Sequence, residues 1–154
     1  MEQTKVKRQP IFFNEHGYNH EFKQYSHKNL TVVWFGGEPL LAPNVIENLS
    51  NQILEFTKKE GIKYSSTIIT NGYLLTKKNI DLLLKSNITD IQVTIDGNEQ
   101  YHNKRRVLKN GKGSYKKIIK NLENLNDYDF SVNIRINIDH DNKDNINELI
   151  EDLN

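Results

Sequence analysis

The pattern that most constrains the fold of this chain occurs four times between Leu30 and Leu153: a short apolar run, a polar turn, then an amphipathic stretch. Short runs rich in β-branched residues are typical of buried strands, and apolar residues three or four apart are typical of helices that pack on a sheet. The predicted strands are residues 30–35, 66–70, 90–95 and 130–138. Consecutive strands that alternate with helices form a parallel sheet, because parallel neighbours need a crossover connection.

Start and stop signals delimit the predicted helices. Pro43 suits a first turn and Gly61 suits the end of the helix that Pro43 begins. Thr76 and Ser114 are the predicted N-caps of the second and third helices. Residues between Gly97 and Ser114 form a predicted polar loop, and a short fourth helix follows the last strand.

Length limits how much of a barrel these units can build. A closed eight-unit barrel takes roughly 250 residues, whereas this chain has 154. The predicted fold class is therefore α/β, a partial parallel (β/α) barrel of about four strand-helix units. An open half-barrel predicts exposed edge strands and an exposed apolar sheet face, and hence marginal stability or association through the edges.

Two regions follow from the composition along the chain. Residues 1–29 lack a sustained period and are predicted to be an irregular or weakly ordered segment, whereas residues 30–154 are the predicted barrel domain. His16 and His20 have the spacing of two metal ligands on a helix, but Gly17 and Asn19 disfavour that helix, so no metal site is predicted.

Composition excludes several classes of function. The net charge is +1, no apolar run reaches the roughly 18 residues of a membrane span, and the first residues do not resemble a secretory signal. We therefore expect a cytoplasmic protein with no membrane partner. The chain contains no cysteine, which excludes disulfides, thiolate nucleophiles and cysteine-ligated metal clusters within these residues.

In parallel folds of this kind, ligands bind at the loops that leave the carboxyl ends of the strands. Gly36 and Gly37 follow the first strand and let a ligand approach the backbone, while Glu38 offers a carboxylate to an ammonium group. The alternative is a Gly-Gly turn with an acid at a helix start.

The third strand ends at a second pair of candidate residues. Thr94 and Asp96 are two residues apart, so a regular strand would point both side chains to one side, where they could bind vicinal hydroxyls such as those of a ribose. The alternative is a buried hydroxyl and an aspartate that caps a turn.

Four ordered motifs carry a resemblance to a known family. They are WFGGEPLL from Trp34, TNGYLLT from Thr70, VTIDG from Val93 and YHNKRRVLKNGKGSY from Tyr101. Together they resemble radical S-adenosylmethionine (SAM) enzymes, and the nearest subgroup resembles the peptide- and sulfatase-maturing enzymes that carry a SPASM domain. The resemblance covers residues 30–153 and implies an internal part of the family's partial TIM barrel.

The resemblance implies roles for the strand-end residues. Gly36, Gly37 and Glu38 match the loop that holds the methionine amino group of SAM, and Thr94 and Asp96 match positions near its ribose. Thr94 replaces the family's commoner serine but keeps the hydroxyl. His102 and Arg106 complete a motif that begins at Asp96 and Gly97; their expected role is loop structure or a polar contact near the site, and the general acid or base is not identified.

The family's CxxxCxxC motif, which ligates a [4Fe-4S] cluster, has no counterpart in this sequence. The first hypothesis is therefore a fragment of an enzyme that modifies a peptide or protein substrate, inactive alone, from a shortened or disrupted reading frame. The second is a non-catalytic module that binds SAM, a nucleotide or a partner chain that completes the barrel.

Residues 104–120 contain eight basic side chains and no acidic one. A nucleic-acid-binding domain is the third hypothesis, but aromatic residues do not interleave with these charges as base stacking requires, so a nucleic acid partner is not expected. A solvated loop and helix face is the preferred interpretation. Asp139, Asp141 and Asp144 lack the glycine and closing glutamate of a calcium loop, so capping by Asn142 or Asp144 is expected.

Overall fold

The computed structural model describes residues 28–153, which form a four-stranded parallel sheet with helices between the strands. The strand order β1-β2-β3-β4 follows the chain without a reversal. The strands are β1 (Asn29–Trp34), β2 (Lys63–Thr70), β3 (Asp90–Thr94) and β4 (Ser131–Arg135). This confirms the predicted partial parallel barrel. The segment predicted to be irregular and the His16–His20 pair lie outside the described residues, apart from the last two residues of that segment.

Five helices connect or follow the strands in the described part of the chain. They are α1 (Pro43–Glu60), α2 (Lys77–Lys85), α3 (Glu99–Arg105), α4 (Tyr115–Glu123) and α5 (Ile146–Asp152), with short 3-10 turns at Pro39–Leu41, Asn124–Asp127 and Lys143–Asn145. Among these helices, none is both long and apolar enough to cross a membrane.

Helix α3 occupies part of the region that the sequence predicted as a polar loop. The Asn98 side chain caps it by accepting a hydrogen bond from the Tyr101 N–H. His102 is its buried residue, so the helix has no apolar stripe that a periodicity search could detect.

Strand register gives the sheet one buried and one open face. Ile68 pairs with Ile91, and Val93 pairs with Ile134, so these side chains share a face. That face packs against core residues of the helices, and the cluster includes Ile80, Leu83, Ile118, Leu125 and Leu149. Helices α1, α2, α4 and α5 all contribute buried residues to this core.

The opposite face is mainly polar and includes the exposed Val33, so only part of the expected apolar surface is present. Thr67, Gln92 and Asn133 alternate with the buried residues of their strands, and Thr31 and Ser65 bond across the β1–β2 pair at 2.9 Å. In a barrel this face lines the interior. A polar lining suits a ligand cavity, whereas a packed barrel core is apolar.

The predicted end residues of α1 and the predicted cap of α2 are present in the structure, whereas the predicted cap of α4 is not. Pro43 and Gly61 lie at the start and end of α1, and Thr76 caps α2 by accepting a hydrogen bond from the Asn79 N–H. Ser114 precedes α4, but its side chain makes no cap. Asn103 caps instead, since its Oδ1 accepts hydrogen bonds from the Ser114 and Tyr115 N–H groups.

Candidate functional site

The carboxylate of Glu38 connects the loops after β1 and β2. Its Oε1 accepts hydrogen bonds from the Leu40 N–H at 3.1 Å and the Thr70 hydroxyl at 2.7 Å. Its Oε2 accepts one from the Asn71 N–H at 2.8 Å. A carboxylate offers about four acceptor positions, so Oε2 keeps one position for a further donor. Glu38 is thus both a structural anchor and an open acceptor.

Gly36 and Gly37 lie directly before this carboxylate and are exposed. A Cβ atom placed on either residue would meet no other atom within 4 Å. The two glycines therefore border open space, where backbone carbonyl groups and the free acceptor position of Glu38 can meet a ligand. A positively charged group such as an ammonium fits this set of acceptors.

Thr94 and Asp96 present different chemistry at the end of β3. The Thr94 side chain is half-buried and makes no hydrogen bond with the described part of the chain. Asp96 is 4% exposed, and its carboxylate accepts hydrogen bonds from Arg106 Nε at 2.6 Å and Asn137 Nδ2 at 2.7 Å. Thr94 can therefore donate to a ligand directly, whereas the Asp96 oxygens already accept hydrogen bonds from Arg106, directly after α3, and from Asn137 in the loop after β4.

The ionisation of Asp96 follows from these partners. Burial raises the pKa of its carboxyl, but the hydrogen bonds from Arg106 and Asn137 and the charges of Arg106 and Arg105 outweigh burial, so the pKa lies below its ordinary value. The ion pair of Asp96 and Arg106 therefore persists at neutral pH.

A fully buried imidazole supports the same loop. His102 Nδ1 accepts a hydrogen bond from the Asp96 N–H at 3.3 Å, and Nε2 lies 3.0 Å from the Ser114 hydroxyl. Because Nδ1 accepts, the proton of the neutral ring belongs on Nε2, which donates to Ser114. Burial and the Arg106 charge lower the pKa of His102 to about 4, against the opposing effect of Asp96. His102 is therefore neutral at pH 7 and positions Asp96 and Ser114.

The side chain of Asn142 connects the loop after β3 to the loop after β4. Its side chain is 0% exposed and donates hydrogen bonds to the Asp96 and Asn137 carbonyl groups, each at 2.7 Å. Its Oδ1 accepts a hydrogen bond from the Asp139 N–H. It makes no helix cap, contrary to the sequence-based expectation, because both ends of its amide bond the β3 and β4 loops.

Sequence reasoning missed Thr70, Asn103, Asn137 and Asn142 as members of this arrangement. Thr70 carried one available signal, since it is a polar residue at the end of an apolar strand, where ligand loops begin. Each of the three asparagines makes a hydrogen bond to a residue more than ten positions away in sequence. No local sequence pattern predicts such contacts.

The described residues contain no cluster of three histidine, aspartate or glutamate side chains that could bind a metal ion. With no cysteine in the sequence, the side chains of these 154 residues do not fit a thiolate-ligated iron-sulfur cluster. The open acceptors beside Gly36 and Gly37, by contrast, fit the cationic end of a small organic ligand.

Comparisons with known proteins identify the family of this chain. The family model of the Radical SAM superfamily matches residues 19–153. The radical SAM cyclopropyl synthase TigE of Paramaledivibacter caminithermalis is 33% identical over 83% of this chain and 26% of its own length. A cysteine-type anaerobic sulfatase-maturating enzyme of Clostridium novyi is 31% identical over 70% of this chain and 28% of its length. The chain thus spans about a quarter of these relatives.

A solved structure shares the fold. Native anSMEcpe with bound AdoMet and Kp18Cys peptide superposes with a TM-score of 0.60 at 24% identity, over 70% of this chain and 30% of that chain. The family match covers most of the sequence, and the name of the cyclopropyl synthase includes the same family. The chain belongs to the radical SAM superfamily.

Proposed function

We propose that this chain binds S-adenosylmethionine at the carboxyl ends of β1 and β3. The methionine amino group binds beside Gly36, Gly37 and the free acceptor position of Glu38 Oε2. The Thr94 hydroxyl meets the ribose, and Asp96 holds the β3 loop in place through Arg106. The observation that carries the proposal is the Glu38 carboxylate, fixed by three donors and open beside two glycines.

The parent reaction is modification of a peptide or protein substrate. A sulfatase-maturating relative and a solved neighbour with a bound peptide support this proposal. SAM supplies radical chemistry only when a cluster delivers an electron, and these 154 residues offer no thiolate to hold one. We therefore expect the chain alone to bind SAM without cleaving it.

A non-catalytic role is the second candidate, and one observation favours it. The Glu38 and Asp96 carboxylates are held by hydrogen bonds from neighbouring loops in a sequence that lacks the cluster cysteines. Such a module binds SAM, a nucleotide or a chain that completes the barrel.

The division into residues 1–29 and 30–154, and a cytoplasmic location, stay predictions.

Calorimetric titration of the full chain with SAM, without added iron, tests the proposal. We expect measurable heat with the native chain, loss of binding in Glu38→Ala, and strong weakening in Glu38→Gln, which keeps the side chain's size but removes its charge. Glu47→Ala, at an exposed position of α1, is the matched control and should bind normally. Absence of heat at millimolar SAM with the native chain would refute the proposal.

A further inference from the structure

Both outer strands of the sheet have an open edge in the described part of the chain. Strand β1 pairs only with β2, and β4 pairs only with β3. β1 contains no charged residue and no proline, and β4 carries one charge, at Arg135. Natural proteins usually protect an edge strand with charges, with proline or with a covering element. These two edges therefore have the features of strands that pair with another chain.

Strand β4 also lacks cover on the face that packs against the helices. Its Val132 and Ile134 pair with Ile91 and Val93, which are both fully buried. Val132 is nevertheless 39% exposed, and Ile134 is only half-buried. The apolar layer between sheet and helices thus reaches the open edge and ends there uncovered. A further strand beside β4 would continue this layer and remove Val132 from water.

The register of the sheet shows how far the strands advance toward a closed barrel. Val33, the fifth residue of β1, pairs with Thr67, and Thr67 pairs with Asp90. Asp90 pairs in turn with Ser131, the first residue of β4. A line across the sheet therefore runs from the fifth residue of β1 to the first residue of β4, an advance of four residues. A closed eight-stranded parallel barrel has a total stagger of about eight residues, so this sheet has half of it.

We propose that two copies of this chain close into one eight-stranded parallel barrel, with β1 of each copy paired to β4 of the other. The described residues supply four strands, which is half of such a barrel. Each junction joins two different strands, and a twofold axis along the barrel relates the two junctions, so assembly stops at the dimer and no edge stays open. The proposal rests on the proposed function only in taking the chain that completes the barrel to be a second copy.

The stagger fixes the register at each junction. Because Asn29 lies four residues before Val33, continuing the same advance places Asn29 of the second copy opposite Ser131. Leu30 of the second copy then lies opposite Val132, and the apolar layer under the helices continues across the junction. A shift by one residue would place apolar side chains of one strand beside polar side chains of the other, so the pattern of both edges favours this register.

Opposite charges meet at the start of each junction. In this register Lys28 of the second copy lies opposite Phe130, one position from Asp129. The Lys28 and Asp129 side chains are exposed, and neither forms an ion pair within the described residues. An exposed ion pair contributes little affinity, but it favours this alignment over one that brings like charges together.

Closure of the barrel would also change the surroundings of the candidate site. The loop from Gly36 to Glu38 follows β1, and the loop that contains Asn137 follows β4, so these loops of different copies become neighbours at each junction. Asn137 holds the Asp96 carboxylate of its own copy. Each SAM site would therefore border a loop of the other copy, and the polar face of the sheet would line an enclosed interior.

Sedimentation equilibrium of the full chain, without SAM or iron, tests the assembly. The native chain should have twice the mass of one chain, and this mass should not rise further with concentration. Thr31→Pro should halve the mass. The Lys63 N–H donates to the Lys28 carbonyl, so alternate residues of β1 bond β2 and the Thr31 N–H points to the open edge, where proline removes it. Thr31→Val keeps this N–H and is the matched control, which should remain a dimer.

Introduced cysteines locate the junction, because the native sequence contains none. Thr31 of one copy and Asn133 of the other lie opposite each other in the proposed register, and paired strands bring such residues within the range of a disulfide. The double variant Thr31→Cys/Asn133→Cys should give a covalent dimer on mild oxidation and no larger product. Thr31→Cys/Lys58→Cys, with the second cysteine at an exposed position of α1, should not cross-link. All three positions are exposed, so these variants should fold.

Three results would overturn the proposal. A monomer at every concentration would mean that the edges stay open or pair with another part of the chain. A mass that keeps rising with concentration would mean an open-ended assembly. Equal cross-linking of the two cysteine variants would mean a different arrangement of the copies. The cysteine variants decide the question even if Thr31→Pro does not fold. Because SAM is absent from both experiments, none of these results affects the calorimetric test of SAM binding.

Discussion

The Thr70 hydroxyl donates a 2.7 Å hydrogen bond to Glu38 Oε1, which joins two strand ends 32 residues apart in sequence. The same hydroxyl oxygen accepts a hydrogen bond from the buried Gly72 N–H at 3.1 Å. Thr70 therefore fixes the candidate ammonium acceptor and begins the next loop. The position of the Glu38 carboxylate depends on a neighbouring strand as much as on its own loop.

Replacing Thr70 with valine should lower the free energy of unfolding by roughly 1–3 kcal/mol, because the buried Gly72 N–H loses its acceptor and Glu38 loses a donor. Urea unfolding measures the change. Thr67→Val, the same substitution on the open face of the same strand, where the hydroxyl has no hydrogen bond, is the control and should change stability by less than about 0.5 kcal/mol. Equal effects in both variants would contradict the anchoring role of Thr70.

Gly72 and Gly111 form a matched pair, since both have φ of +77°. A Cβ on Gly72 would lie 2.9 Å from Val93 Cγ1 and 3.0 Å from Ile118 Cγ2, whereas a Cβ on Gly111 meets nothing within 4 Å. Gly111→Ala should therefore cost about 1–2 kcal/mol for the backbone conformation alone. Gly72→Ala should cost roughly 1–3 kcal/mol more from overpacking. Thermal unfolding of the two variants should separate these contributions, and similar melting temperatures would argue against close packing at Gly72.

Acid should destabilise the chain through His102. The imidazole pKa is about 4 when folded and 6.5 in its ordinary state, so the unfolded chain binds more protons between these values. The stability that the neutral ring contributes is complete above pH 6.5 and is lost as the pH falls toward 4, by up to about 3 kcal/mol. The lowered pKa of Asp96 adds a further loss at lower pH, as its carboxylate becomes protonated.

Denaturant unfolding across this pH range measures the effect. The native chain should lose stability steadily as the pH falls, and His102→Leu should lose most of that dependence while being less stable at neutral pH. His140→Leu removes an exposed histidine and should retain the native dependence. A steep pH dependence in His102→Leu would show that another group is responsible.

Asn142→Ala should destabilise the chain by several kcal/mol. The variant removes the donors to the Asp96 and Asn137 carbonyl groups, and each orphaned buried group costs roughly 1–3 kcal/mol. Asn133→Ala, at an exposed position of β4, is the control and should be nearly neutral. Hydrogen exchange should be faster at the Asp139 N–H, which bonds Asn142 Oδ1, and unchanged protection there would contradict the assigned contact.

The sequence predicted the architecture well because its signals are local. The apolar strand around Ile91 and Val93 and the amphipathic helix between Pro43 and Gly61 each follow from spacing and end residues, and the structure has both. The four motifs also led to the family, which the family comparison confirms. Helix α3 was missed because its buried residue is a histidine, so the helix has no stripe of apolar residues that would reveal its period.

The sequence selected the candidate residues by type and position, but it did not predict which of them already hold hydrogen-bond partners. Glu38 and Asp96 were candidate ligand groups at strand ends, with a helix-start acid and a turn-capping aspartate as the alternatives. In the structure Glu38 keeps an open acceptor position, whereas Asp96 is held by Arg106 and Asn137. The assignment of SAM contacts to these residues stays a prediction. Which carboxylate is free depends on partners from other strands and helices.

The sequence by itself determined the alternation of the four strands with helices α1, α2, α4 and α5, the loops that follow the strands, and the lack of cysteine ligands, since each follows from local periodicity, residue type or count. Only the tertiary structure decided that Thr70 holds Glu38 and that His102 and Asn142 support the β3 loop. Hydrogen bonds of this kind join residues distant in sequence, so they exist only after the sheet has brought the strand ends together.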